Sequence, residues 1–382
     1  MNVNTALRTA PRRNRPVRLC VNACRVTLLF FFCSVCLSQS ERGLSDMNTA
    51  SPAHEFYAKG RDFFKRAAAA QDSKSRTEYL KKAIGCFENA VSKDSTYVLA
   101  YLGLAQSYSS LSGIGDSRNT EALLRIKTAA VKAISLDSSY AELHQLLGWV
   151  KYQYDWDWEG SEKEFKKALE LDPKFSESWP RYASLLASLG RYNEAWAEVK
   201  RVIGPGKDPA WTNFTYGYIL YWGRQYDGAM KYYRAAIGAN PKQWLYHFYM
   251  GLAEAQDSLC EEAVEEFRRG VILSGSNTAA VAGLGYGYAL VGKRHEAVSV
   301  LGMLEKGWQQ LRSVSPSAAP PYRVAAIYAA LGEKDLAFSW LEKGMDTRSA
   351  WMVWLMVDPV FNNLHKDPRF GILLKRIGLK KN

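Results

Sequence analysis

The chain is poor in residues that assemble chemistry. Five histidines, His54, His144, His247, His295 and His365, are scattered over 382 residues, and none stands at the HxxxH or HExxH spacing that holds zinc. No GxSxG elbow, GxxxxGK[ST] phosphate loop or kinase signature occurs. An enzyme has no nucleophile, base and orienting group to draw on, so no catalytic residue, metal site or cofactor is assigned. Long apolar runs are missing too: the stretch Val26–Leu37 has twelve residues, short of the roughly 20 that span a bilayer, which excludes a polytopic membrane protein. Cysteine is scarce outside the first forty residues, where Cys20, Cys24, Cys33 and Cys36 lie. The remaining pair, Cys86 and Cys260, is so far apart that two buried free thiols are expected rather than a disulfide.

What is present is apolar and evenly charged. Hydrophobic residues make up 47% and charged residues 23%, a folded composition. Of 50 lysines and arginines against 38 acids, six arginines (Arg8, Arg12, Arg13, Arg15, Arg18, Arg25) lie in residues 1–40, leaving 44 against 38 elsewhere. A surplus spread that thinly gives little warrant for nucleic acid, and no nucleic-acid partner is assigned. The arginines precede Val26–Leu37 and the small, polar Ser38-Gln39-Ser40. That layout predicts a signal peptide or N-terminal membrane anchor over 1–40 and a linker over 41–52. The product is then exported: periplasmic, secreted, or membrane-tethered through residues 26–37. A start at Met47 would make it cytoplasmic.

After residue 50 the chain repeats. Ser161, Ala195, Ala229, Ala263 and Ala297 are each 34 residues apart, and Ala183, Gly217, Gly251 and Gly285 keep the same step twelve residues earlier. Each unit holds two helix-periodic apolar stretches around a turn such as Leu189-Gly190-Arg191-Tyr192 or Val291-Gly292-Lys293-Arg294, hence a helical hairpin. Small residues let the two helices approach. Proline or aspartate ends the second helix at Leu171-Asp172-Pro173, Asp208-Pro209 and Asn240-Pro241. One hairpin cannot bury both its faces, so the units stack. Within Gly283-Leu-Gly285-Tyr-Gly287, helix packing accounts for Gly285 and leaves Gly283 and Gly287 without a role. Glu261-Glu262 and Glu265-Glu266 read as a solvated helix face.

These residues resemble the tetratricopeptide repeat family, best over 141–305: Ser161, Phe165, Ala168 and Pro173 fit one unit, Gly251, Ala263 and Phe267 another, Gly285, Tyr288, Gly292 and Ala297 a third. The resemblance implies an all-α, right-handed α-solenoid of about eight repeats over 53–350, with extra residues near Ala67–Arg76 and Ser112–Thr120 and a linker at Ser313–Pro321. A C-terminal capping helix region follows at 351–382, with Phe370, Leu373, Leu374 and Ile377 inward. Tyr154-Asp155-Trp156-Asp157-Trp158, and Val357-Asp358-Pro359 through Asp367-Pro368-Arg369-Phe370 to Arg376-Ile377-Gly378-Leu379, are similar to a narrower set of bacterial multidomain regulators. There such arrays follow a winged-helix, kinase or cyclase domain. Residues 1–50 are too few for any of these, so no effector activity carries over.

The family resemblance implies a partner as well: another protein or peptide held along the concave side, where the first helix of each unit faces. With the small residue of each first helix as the eighth position, the inward residues are Trp149 and Tyr152, then Trp211, Phe214, Tyr218, Tyr221 and Trp222, then Phe248 and Tyr249, then Tyr286. An aromatic groove centred on 211–252 would bind an apolar peptide or partner helix; equally, these rings could fill the gaps between hairpins. The groove positions offer only Arg181 and Arg323 as isolated cations, which speaks against capture of a terminal carboxylate. The expected function is a non-catalytic interaction scaffold. A carbohydrate-binding envelope module, stacking sugars on aromatic rows, and a trans-acting sensory remnant of a regulator are the alternatives.

Overall fold

The computed structural model describes residues 51–70, 72–112, 120–173, 175, 178–202, 208–311 and 320–379. Among them no strand occurs and eight helical hairpins follow one another. They are α1 (Pro52–Ala69) with α2 (Ser73–Lys93), α3 (Val98–Ser112) with α4 (Thr120–Leu136), α5 (Ala141–Val150) with α6 (Trp158–Leu171), and α7 (Ser178–Ser188) with α8 (Tyr192–Val202). Then come α9 (Pro209–Trp222) with α10 (Tyr226–Ala239), α11 (Trp244–Gln256) with α12 (Cys260–Ser274), α13 (Thr278–Leu290) with α14 (Arg294–Leu311), and α15 (Pro320–Ala330) with α16 (Lys334–Asp346). The leader, with its apolar 26–37 stretch, and the Met47 alternative lie outside the described residues. Among the described residues no helix is long and apolar enough to cross a membrane.

The 34-residue step is visible in the turns. The N–H groups of Arg191, Gln225, Leu259 and Lys293, each 34 residues on from the last, bond at 2.9 Å to the carbonyl five residues back, and Glu333 repeats this bond. The residue just before each is left-handed: Gly190, Arg224, Ser258, Gly292 and Gly332. Glycine takes that conformation without a Cβ penalty, whereas Arg224 and Ser258 adopt it at a cost.

The seams follow from the small residues. Ala195, Ala229, Ala263 and Ala297 are fully buried, and a Cβ on Gly217 would stand 2.6 Å from the Tyr233 ring and 3.1 Å from the Ala229 carbonyl. Gly283 and Gly287 acquire a role here. A Cβ on Gly283 would meet Phe267 at 2.7 Å and Phe248 at 2.9 Å, and one on Gly287 would meet Val264 at 3.0 Å, while Gly285 faces Val300 and Ile327. The two outer glycines let α13 dock on the hairpin before it, and the middle one lets it dock on its own partner α14 and on α15 of the next hairpin.

Several boundaries move. The extra residues near 67–76 extend α1 and α2 rather than forming a loop, and the second insertion, at 113–119, lies outside the described residues. The linker is shorter than expected, because Pro320 and Pro321 already open α15. Between α5 and α6, residues Lys151–Asp155 form a π-turn. It adds one residue, so Gly148 pairs with Ser161 thirteen positions on, not twelve, its Cβ position lying 3.3 Å from the Ser161 carbonyl. Cys86 and Cys260 are free but half-buried rather than buried. Glu266 is no solvated carboxylate: its Oε2 lies 2.6 Å from His247 Nδ1, whose other ring nitrogen lies 3.2 Å from the Pro241 carbonyl. His144, Glu164 and the Ser138 carbonyl repeat that arrangement three units earlier.

Candidate interaction surface

After α16 the chain turns back. Arg348 takes a left-handed φ of 47°, 3₁₀ turns cover Ala350–Trp354 and Pro359–Leu364, and α17 spans Pro368–Arg376. This C-terminal segment is very apolar, AWMVWLMV over 350–357. Of residues 350–361 only Trp351 and Met356 are even half-buried; the rest are buried. It lies against α9 and α15 and shares a small cavity with α11 and α13.

Most of the aromatic residues expected there are buried. Phe214, Tyr218 and Trp222 recur every fourth residue along α9, so they share one face. Phe214 stacks on Tyr246 (5.1 Å between centroids, 29°) and meets Tyr249 edge-on. Trp222 stacks flat on Trp354 of the segment, 4.0 Å and 12° apart, while Tyr218 meets the same ring edge-on at 5.7 Å. Tyr152, Phe214, Tyr221, Trp222, Phe248, Tyr249 and Tyr286 are all buried, at 0 to 6% exposure. They are not an open groove in this structure: Phe214, Tyr221, Phe248 and Tyr249 fill the gaps between helices, packed on one another and on Tyr246, Tyr226 and Phe267, while Trp354 of the C-terminal segment covers Trp222 and Tyr218. Trp149, Trp211 and Tyr218 stay half-buried, with Arg181 packed 4.9 Å over the Trp149 ring.

Polar groups sit within this apolar contact. Asp358 is buried; it accepts a 2.7 Å bond from the Tyr322 hydroxyl and a 3.1 Å bond from the Val360 N–H. Burial pushes its carboxyl up to about 6, against the downward pull of those two bonds and of the Arg323 and Arg224 charges. Arg323 lies between two rings, 4.9 Å from Phe248 on α11 and 4.3 Å from Trp351 on the segment. Trp222, Tyr286, Tyr322, Arg323, Trp351 and Asp358 line a cavity of about 40 Å³, room for a few waters and too little for a drug-sized ligand.

Fastenings hold the segment at both ends. Arg348 donates a 2.6 Å bond to the Tyr154 carbonyl and packs over the Tyr154 and Trp156 rings. Arg224 donates to Asn362 at 2.9 Å, and Asn363 to the Ala329 carbonyl at 2.6 Å. Trp158 Nε1 donates to the Ile377 carbonyl at 2.7 Å. The Tyr154–Trp158 motif and the 357–379 motif therefore meet each other. Phe370, Leu373, Leu374 and Ile377 are buried as the capping reading requires, with Arg369 bridging to Asp335 on α16 at 2.7 Å. Yet 350–364 does more than cap. Sequence reasoning missed that role, although pairing two unexplained motifs two hundred residues apart was the available signal. Among the described residues no group of three or more His, Cys, Asp or Glu is placed to hold a metal ion.

Residues 164–197 and 217–278 each match a tetratricopeptide repeat model. No curated protein matches the chain. Among solved structures it is similar to yeast Tom70 (15% identity, 87% of this chain and 69% of that one, TM-score 0.51). It is also similar to a tetratricopeptide repeat protein from Parabacteroides merdae (13%, 77% and 98%, TM-score 0.50) and to the human IFIT1 dimer with PPP-AAAA (12%, 77% and 77%, TM-score 0.50). At these identities the likeness is one of fold. Such repeats generally mediate protein–protein interaction and serve as non-catalytic scaffolds.

Proposed function

Because this chain is a tetratricopeptide repeat protein, we propose that it is a non-catalytic scaffold whose aromatic inner face holds an apolar peptide or partner helix. One observation carries the reading. The face already holds an apolar polypeptide segment, its own residues 350–361, with Trp354 stacked on Trp222. Aromatic anchors of that kind dominate the energetics of interfaces. The half-buried Trp149, Trp211 and Tyr218 would give a partner its first contacts. The layout of residues 1–40 supports action outside the cytoplasm, and N-terminal sequencing of the product from its native host tests that.

The scaffold reading is tested by affinity capture from the native host, comparing the unaltered protein with a Trp149→Glu/Trp211→Glu double variant whose helicity is verified by circular dichroism. A partner recovered by the first and lost by the second supports the reading. Equal recovery by both overturns it.

A further inference from the structure

We propose that residues 350–361 are a built-in competitor for the aromatic face, and that the partner is a polypeptide segment with the same chemistry: two aromatic side chains three residues apart and a carboxylate four residues beyond the second. This rests on the scaffold reading above and specifies the partner and regulation of the same face.

The pattern is read from what the face grips. Trp351 shares the Arg323 guanidinium with Phe248, Trp354 stacks on Trp222, and Asp358 accepts the Tyr322 hydroxyl. Three contacts at spacings of three and four residues fix the register of the bound segment. A partner with that spacing replaces each contact in kind, so exchange is close to balanced, whereas an arbitrary apolar segment leaves Arg323 and Tyr322 facing an occupant without a carboxylate. The segment's backbone is 3₁₀ and turn rather than α-helix, and it leaves α16 through a turn in which Arg348 is left-handed and the Ser349 N–H bonds to the Gly344 carbonyl. The Trp222 indole N–H and the Ser349 hydroxyl, both buried, meet no protein hydrogen-bond partner among the described residues. The fastening nearest that turn is Arg348 on Tyr154 and Trp156, and its removal shifts the balance toward the open face.

The experiment uses the full chain and a fluorescein-labelled peptide of residues 349–362 carrying a lysine tag for solubility. Binding is measured to the unaltered protein, to Arg348→Ala and to Trp158→Phe, with hydrogen exchange of residues 350–361 followed in each. Expected are at least tenfold tighter peptide binding by the variants, faster exchange of 350–361 than of α13, and at least tenfold weaker binding when the peptide residues matching Trp354 or Asp358 become Ala or Asn. Three outcomes overturn the proposal: exchange of 350–361 as slow as that of α13 in both variants, an exchanging segment without peptide binding, or a dimer with exchanged segments, which assigns the face to a second copy. The scaffold reading fails by a different result, retention of a native partner by the Trp149/Trp211 variant.

Discussion

Trp158 and Ile377, 219 residues apart, are joined by one hydrogen bond of 2.7 Å from the indole N–H to the main-chain carbonyl. Trp158 opens α6, just after the π-turn, and Ile377 closes α17, so the bond ties the third hairpin to the end of the chain. Gly378 makes the approach possible: its φ is 73°, and a Cβ there would stand 3.3 Å from Trp158 Nε1. Replacing Trp158 by Phe keeps most of the packing and removes the donor. The expected loss is about 1–2 kcal/mol, the usual cost of leaving a buried acceptor unmet, read by chemical denaturation. Amide exchange of Leu379, whose N–H bonds to the Leu374 carbonyl, should rise with it.

Burial separates the aromatic positions energetically. Trp222 is 2% exposed, between Tyr218, Tyr221 and Trp354, and Trp222→Ala should cost about 3–5 kcal/mol, as large-to-small core changes do. Trp211, half-buried beside Phe214, should lose well under half as much on the same substitution. Denaturation midpoints of the two variants check this; similar losses would mean that Trp211 belongs to the core and cannot offer a first contact.

Much of this was legible because helical repeats print their contacts in the sequence. A seam that admits only a small residue every 34 positions is a local steric rule, and Gly217, Gly251, Ala229 and Ala263 obey it. That Tyr218 and Trp222 share one face of α9 was legible from their spacing of four. What occupies that face was not. The fold-back of 350–364 depends on contacts between residues far apart in the chain, such as Arg224 and Asn362, 138 positions apart, and an apolar run such as 350–357 reads the same whether it caps an end or fills a groove. The π-turn at 151–155 was hidden too, since one added residue leaves the composition of the unit unchanged.

Asp358 gives the closed form a pH signature. Its carboxyl is raised from 3.8 to about 6, so the folded state holds a proton that the unfolded state releases. Stability from this residue is therefore fully present below pH 4 and declines as pH rises to 6, by about 3 kcal/mol at 1.36 kcal/mol per unit. Asp358→Asn removes the proton exchange and retains an acceptor for the Val360 N–H. The stability difference between the two proteins should change between pH 4 and 6 and be flat above it; a difference independent of pH would place Asp358 in a solvated setting.

Glu162 carries the opposite dependence. It joins three elements: Arg191 in the turn before α8 reaches it at 2.6 and 3.1 Å, Tyr182 on α7 at 3.0 Å and Lys166 on its own helix at 2.8 Å. Burial pushes its carboxyl up, but the bonds from Arg191, Lys166 and Tyr182 outweigh that and hold it at about 2, below the ordinary 4.5. Its contribution is thus present above pH 4.5 and lost as pH falls toward 2. Solvent screening at a partly open site reduces it to about 1–2 kcal/mol. Glu162→Gln keeps the shape and loses the charge, so its deficit should be full at pH 7 and vanish near pH 2. A deficit that persists at pH 2 would trace to packing between α6 and α7, not to the charge of Glu162.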